Sequence, residues 1–170
     1  MSEPQTISHW IDGAISPSTS GKTAPVYNPA TGQVTANVAL ASQEEIDATI
    51  ASATKAAKAW GNLAIAKRQT VLFNFRELPN ARKGELAEII TAEHGKVVSD
   101  AMGEILRGQE VVELATGFPH LLKGAFNENV STGIDVYSLK QPLGVVGIIS
   151  PFNFPAMVPM WFFPIAIAAG

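Results

Sequence analysis

Residues 143–170 read LGVVGIISPFNFPAMVPMWFFPIAIAAG, and no charged residue interrupts them. A long uncharged run is the usual mark of a membrane-spanning helix. Pro151, Pro155, Pro159 and Pro164 argue against that reading, since each deletes a backbone donor and bends a helix. Membrane helices accommodate one such break more readily than four. Plain core would also suit: a strand, a loop and a buried helix with no further role. The third reading begins from residues 145–149, a short and uniformly apolar run after Gly144. Such a run is typical of a strand buried on both faces of a parallel sheet. Open α/β sheets bind their ligands just outside the carboxyl ends of such strands. The loop at that end is Ser150-Pro151-Phe152-Asn153-Phe154-Pro155. Asn153 is its one strong amide donor, and two prolines stiffen the backbone around it. A rigid amide in a dry setting is what stabilisation of a developing oxyanion requires. An amide bonded to its own loop is the structural alternative.

Upstream, the order of elements is strands, then helices, then a strand again. Residues 7–15 carry an Asp12-Gly13 turn between apolar runs, which predicts a hairpin. Residues 16–22 form a polar loop and 24–27 a short extended piece. Asn28-Pro29-Ala30-Thr31-Gly32 reads as a tight turn, and residues 33–40 as a further strand. Ser42 and Glu45 have capping-box spacing ahead of a helix whose stripe is Ile46, Ile50, Ala53, Ala57 and Trp60, with Gly61 at its end. A second helix is expected over 64–78, with Val71, Leu72, Phe75 and Leu78 inward and Pro79 stopping it. A third covers 81–94, with Leu86, Ile89 and Ile90 buried and Gly95 beyond its end. A fourth covers 99–116, with Ile105, Val112 and Leu114 apolar and Glu104, Glu110 and Glu113 on its polar side. Residues 134–139 alternate as an edge strand does. Parallel strands need neighbours reached by crossover helices. The expected fold is therefore α/β, an amino-terminal β segment and helices leading into a truncated Rossmann-like parallel sheet.

Composition narrows the classes. The chain is 46% hydrophobic but only 16% charged, below the usual quarter, as if part of its surface were meant to be covered. A net charge of -3 gives no basic footprint for a nucleic acid. The absence of cysteine removes disulfides, thiolate metal sites and a thiol nucleophile from these residues. The first residues show neither a signal peptide nor a transit peptide, so a cytoplasmic protein is expected. His9, His94 and His120 lack ligand spacing, and no metal site is expected. Ser16 to Thr23 ends like a phosphate loop but lacks its first glycine and its helix.

The loop motif at 150–155 resembles the aldehyde dehydrogenase pattern in which a strand ends in Pro-(Trp/Phe)-Asn-Phe-Pro. Phe152 and the continuation through Trp161 are similar to the CoA-acylating methylmalonate-semialdehyde branch of that family. Tyr27 to Gly32, Glu93-His94-Gly95-Lys96 with Gly103-Glu104, Leu106-Arg107-Gly108 with Val111-Val112-Glu113, and Asp135 to Ser138 before Pro142 to Val145 fit the same pattern. The resemblance covers nearly all of residues 1–170, as the amino-terminal part of an aldehyde dehydrogenase domain. It implies Asn153 as the oxyanion amide, Ser150, Pro151 and Phe152 beside the nicotinamide end of NAD, and Arg107 on a substrate carboxylate. Without the resemblance, Arg107 reads as a surface helix arginine. A guanidinium fork suits a carboxylate. The resemblance further implies NAD and CoA as co-substrates, a small semialdehyde substrate, a strand at 134–140 that pairs between subunits, and a homo-tetramer. The family's nucleophilic cysteine has no counterpart here, so the expectation is an amino-terminal fragment without activity of its own. Rival expectations are an aldehyde dehydrogenase of another substrate, a non-catalytic scaffold and a membrane-associated protein.

Overall fold

The computed structural model describes residues 5–170; the expectation about a leader at the very start falls partly on residues 1–4, outside the described residues. Strands β1 (Gln5–Ile7), β2 (His9–Ile11), β3 (Ala14–Ser16), β4 (Thr23–Tyr27) and β5 (Val34–Ala39) come first. The β2–β3 hairpin turns at Asp12 and Gly13, whose φ angles of 54° and 76° make the two-residue turn that right-twisted strands prefer. β5 is the centre of a three-stranded sheet, parallel to β1 and antiparallel to β4. The turn joining β4 and β5 is an Asx turn, in which Asn28 Oδ1 accepts from the amides of Ala30 and Thr31 at 2.8 and 3.2 Å. Gly32 closes it at φ 70°.

Helices α1 (Gln43–Gly61), α2 (Ile65–Ala81), α3 (Lys83–His94), α4 (Val98–Thr116) and α5 (Phe118–Leu121) follow. The expected capping box starts α1: Ser42 Oγ accepts from the Glu45 amide, and the Glu45 carboxylate accepts from the Ser42 amide at 2.7 Å. α2 runs two residues past Pro79, contrary to the expected stop. A proline so near a helix end forfeits one hydrogen bond, and the Arg82 amide still closes the last turn onto the Leu78 carbonyl at 3.1 Å. Leu72 is buried as expected, but Val71 and Leu78 are exposed; the inward face runs through Arg68 and Leu72 instead. On α3, Ile90 and Ala87 are buried while Ile89 is half-exposed. Gly95 ends it at φ 86°, the left-handed conformation expected there.

α4 is the axis of the helical part. It packs on α2, on α3 and on α6 (Met157–Ala169), with the hairpin of β6 (Phe126–Ser131) and β7 (Ile134–Tyr137) lying between in sequence. One core cluster joins Ala87, Ile90, Ala101 and Ile105; another joins Leu72, Ala115 and Ala168. Phe75 meets Phe163 edge-to-face at 5.3 Å, and Trp60 donates to the Ile167 carbonyl at 2.8 Å, which ties α1 to α6. No described helix is long and apolar enough to cross a membrane.

Three expectations about the later part need correction. Residues 145–149 form no ladder and are not buried; Ile149 is 99% exposed. A parallel strand exists only against a partner edge, and no described segment offers one. Leu114 is exposed. Glu104, placed on the polar side of its helix by expectation, has no exposed surface at all. The strand expected near 134 is present as β7, paired with β6, a strand the sequence reading lacked.

Candidate active site

The bend at 150–156 leads into α6, and what holds it comes from α4 and the turn before it. α6 starts with no side-chain cap of its own at Ala156. The first amides of a helix have no intrahelical acceptor and need one from elsewhere. Glu104 supplies it across the packed α4–α6 contact: one carboxylate oxygen accepts from the Ala156 amide at 2.7 Å and from the Met157 amide at 3.1 Å. Its other oxygen accepts from Lys96 Nζ at 2.7 Å. Burial pushes the Glu104 carboxyl up, but the Lys96 ammonium and the two amides outweigh it and hold the group below its ordinary value. It is therefore an anion at neutral pH, inside the protein, at the positive end of a helix.

Lys96 does more than neutralise it. The same Nζ donates to the Asn153 carbonyl at 2.9 Å and lies 4.3 Å from the centre of the Phe154 ring. Only 7% of the Lys96 side chain is exposed. Arg107, one turn beyond Glu104 on α4, stands with its guanidinium carbon 5.5 Å from the centre of that ring, and its Nε donates to the Gly103 carbonyl at 3.2 Å. Phe154 thus lies against two cations.

The expected site residues fall in this neighbourhood with different surroundings. Asn153 is exposed, and among the described residues no hydrogen bond involves its side-chain amide. It is neither in the dry setting expected nor bonded to its own loop. Ser150, Pro151 and Phe152 are exposed as well. Phe152 keeps 60% of its surface open and meets the His94 ring at 5.9 Å. Arg107 is exposed and shares Phe154 with the Asn153 bend, so the structure brings these two together. None of the five lines the apolar cavity of about 480 Å³ between α2, α3 and α6, which is walled by Phe75, Leu86, Ile89, Pro155, Pro159 and Phe163. Among the described residues no cluster of His, Asp and Glu could hold a metal ion.

Lys96 and Glu104 escaped the chemical reading of the sequence, although a signal was there. Ala101, Ile105, Gly108, Val112 and Ala115 are buried at helical spacing, and Glu104 lies on the same face. A carboxylate on an apolar stripe must have a partner.

The aldehyde dehydrogenase family profile matches residues 15–170. The chain is 46% identical, over all of its length and 35% of the relative's, to malonate-semialdehyde dehydrogenase 2 of Geobacillus thermodenitrificans. Among solved structures it is similar to a protein of Sinorhizobium meliloti 1021 assigned as a methylmalonate-semialdehyde dehydrogenase and crystallised with NAD. That likeness has a TM-score of 0.95 at 45% identity and covers 100% of this chain and 35% of the other. It is similar also to methylmalonate-semialdehyde dehydrogenase from Oceanimonas doudoroffii, with a TM-score of 0.93 at 45% identity over 98% of this chain and 34% of the other. The chain spans about a third of the length of the relatives it matches.

Proposed function

The chain belongs to the aldehyde dehydrogenase family, and from that premise we propose that the protein carrying it oxidises malonate or methylmalonate semialdehyde with NAD and passes the acyl group to CoA. The observation that carries the substrate class is the shared contact at Phe154. Arg107 lies against the ring of the residue that follows Asn153. A guanidinium and an amide donor on neighbouring backbone suit a short molecule with a carboxylate at one end and an aldehyde at the other.

Asn153 donates to the aldehyde oxygen as it gains charge during addition of the family's thiol, which lies outside these cysteine-free 170 residues. Arg107 binds the carboxylate and so sets which carbonyl carbon faces the reaction. Ser150, Pro151 and Phe152 wall the nicotinamide end of the NAD site. Their fit rests on the open Phe152 ring, preceded in the chain by Pro151 and the Ser150 hydroxyl, an aromatic surface of the kind that receives a heteroaromatic ring. NAD bound there would supply the acceptor for the hydride that leaves the aldehyde carbon. The acyl group then leaves the thiol for CoA, with loss of CO2 from the malonate or methylmalonate carboxylate. The exposed β6–β7 hairpin suits pairing between subunits of a homo-tetramer.

Substitution of Arg107 by Leu tests the substrate class. In the active protein it should raise KM for malonate semialdehyde by about tenfold or more, the loss of one charge-assisted contact, and leave propanal nearly unaffected. An equal change for both aldehydes would remove Arg107 from the carboxylate.

A further inference from the structure

We infer that Lys96 and Glu104 are a positioning pair that grips the second half of the 150–156 bend, from Asn153 into the start of α6, and thereby fixes where Asn153 presents its amide. The inference deepens the reading of Asn153 given above and rests on it, although the grip itself is read from geometry alone. Four groups between Asn153 and Met157 are held. The Asn153 carbonyl is held by Lys96 Nζ at 2.9 Å, the Phe154 ring by the same ammonium at 4.3 Å, and the Ala156 and Met157 amides by Glu104 at 2.7 and 3.1 Å. Pro155, between them, has a fixed φ and leaves little freedom to the backbone. The two grips are one unit, because Lys96 and Glu104 bond to each other at 2.7 Å.

Neither residue is a surface accident. Glu104 has no exposed surface, and a buried carboxylate without a cation is strongly unfavourable. Lys96 precedes α4 and is aimed by the left-handed Gly95. A β-carbon on Gly95 would come within 3.1 Å of Pro29, so the turn that delivers Lys96 is sterically set as well. Both side chains hold backbone groups next to Asn153, and so both act through Asn153.

Two measurements test the pair. The first is amide hydrogen exchange on the full chain with Lys96→Met/Glu104→Leu, which removes both buried charges together and so spares the fold the penalty of a lone ion. Exchange at Ala156 and Met157 should quicken about tenfold or more, the loss of a charge-assisted acceptor, with Ile105 and Val112 unchanged. Unchanged exchange at 156 and 157 would overturn the inference. The second is kinetics in the active protein. Lys96→Met should lower kcat about tenfold or more with KM for NAD unchanged, and Lys96→Arg should recover most of it, since an arginine can still reach a carbonyl and a carboxylate. A wild-type kcat in the Met variant, or no recovery with Arg, would likewise overturn it. Asn153→Ala run in parallel separates the two ideas: if that variant is fully active, the oxyanion role fails, while exchange still decides the grip.

Discussion

Asn153 is attached to the rest of the protein through its carbonyl, while its side-chain amide is free of described partners. Removing the amide should therefore leave the bend in place. Asn153→Ala in the active protein is expected to lower the acylation rate on the order of a hundredfold or more, as loss of one oxyanion donor does, with NAD affinity nearly unchanged. Burst kinetics beside a direct NAD titration would separate the two, and an unaltered burst rate would rule the role out. At this scale the sequence displayed the residue that faces outward and concealed the residues that hold it. Asn153 announces itself as the one amide in an apolar loop. Lys96 and Glu104 are ordinary letters whose meaning lies in a contact between α4 and the start of α6, far apart in the chain.

Among the elements, α1 depends on its start. The backbone amide of Ser42, and then that of Thr19, hold the Glu45 carboxyl down to about 2 from an ordinary 4.5. Because the folded value is depressed, the stability Glu45 contributes is complete above the ordinary value and is lost as pH falls through about 2. Thermal melts of the chain and of Glu45→Gln should therefore differ most at pH 5 and above and converge toward pH 2; a constant gap across that range would contradict the linkage. The α4–α6 contact depends on Gly108, where an added β-carbon would lie 2.5 Å from Met160 Cε and 3.2 Å from Met160 Cβ. The methyl end can swing away, but the buried Cβ cannot. Gly108→Val should cost about 2 kcal/mol by overpacking, read as a lowered denaturant midpoint; an unchanged midpoint would show that the two helices are free to separate. Turn and cap chemistry was legible at this scale because it is local: Asp12-Gly13, Asn28 to Gly32, Ser42 with Glu45, and Gly95 all do what their letters predict. Pro79 misled, because its effect depends on how near the helix end lies, which packing decides.

The whole molecule exposes 11642 Å². A compact monomer of 18.0 kDa would expose about 8,000 Å² by the scaling of surface with mass. Apolar side chains contribute to the surplus: Leu143 and Ile149 are almost fully open, and Val145, Val146 and Trp161 are each above two-fifths exposed. The low charge content seen in the sequence has its counterpart in these faces. With no thiol among its residues, the purified 170-residue chain mixed with NAD, CoA and malonate semialdehyde should give no rise in NADH absorbance. A steady rise would defeat the covalent route proposed for the protein. By itself the sequence determined the family, the four long helices that follow the first strands, most of the caps and turns, and the loop that carries Asn153. Each of these is written in neighbouring residues, or in a periodicity that a single segment carries. Only the tertiary structure decided that 145–149 stands unpaired, that Glu104 is buried, and that Lys96 and Arg107 converge on Phe154. Strand pairing, burial and charge compensation are properties of two segments at once, and no single segment contains its partner.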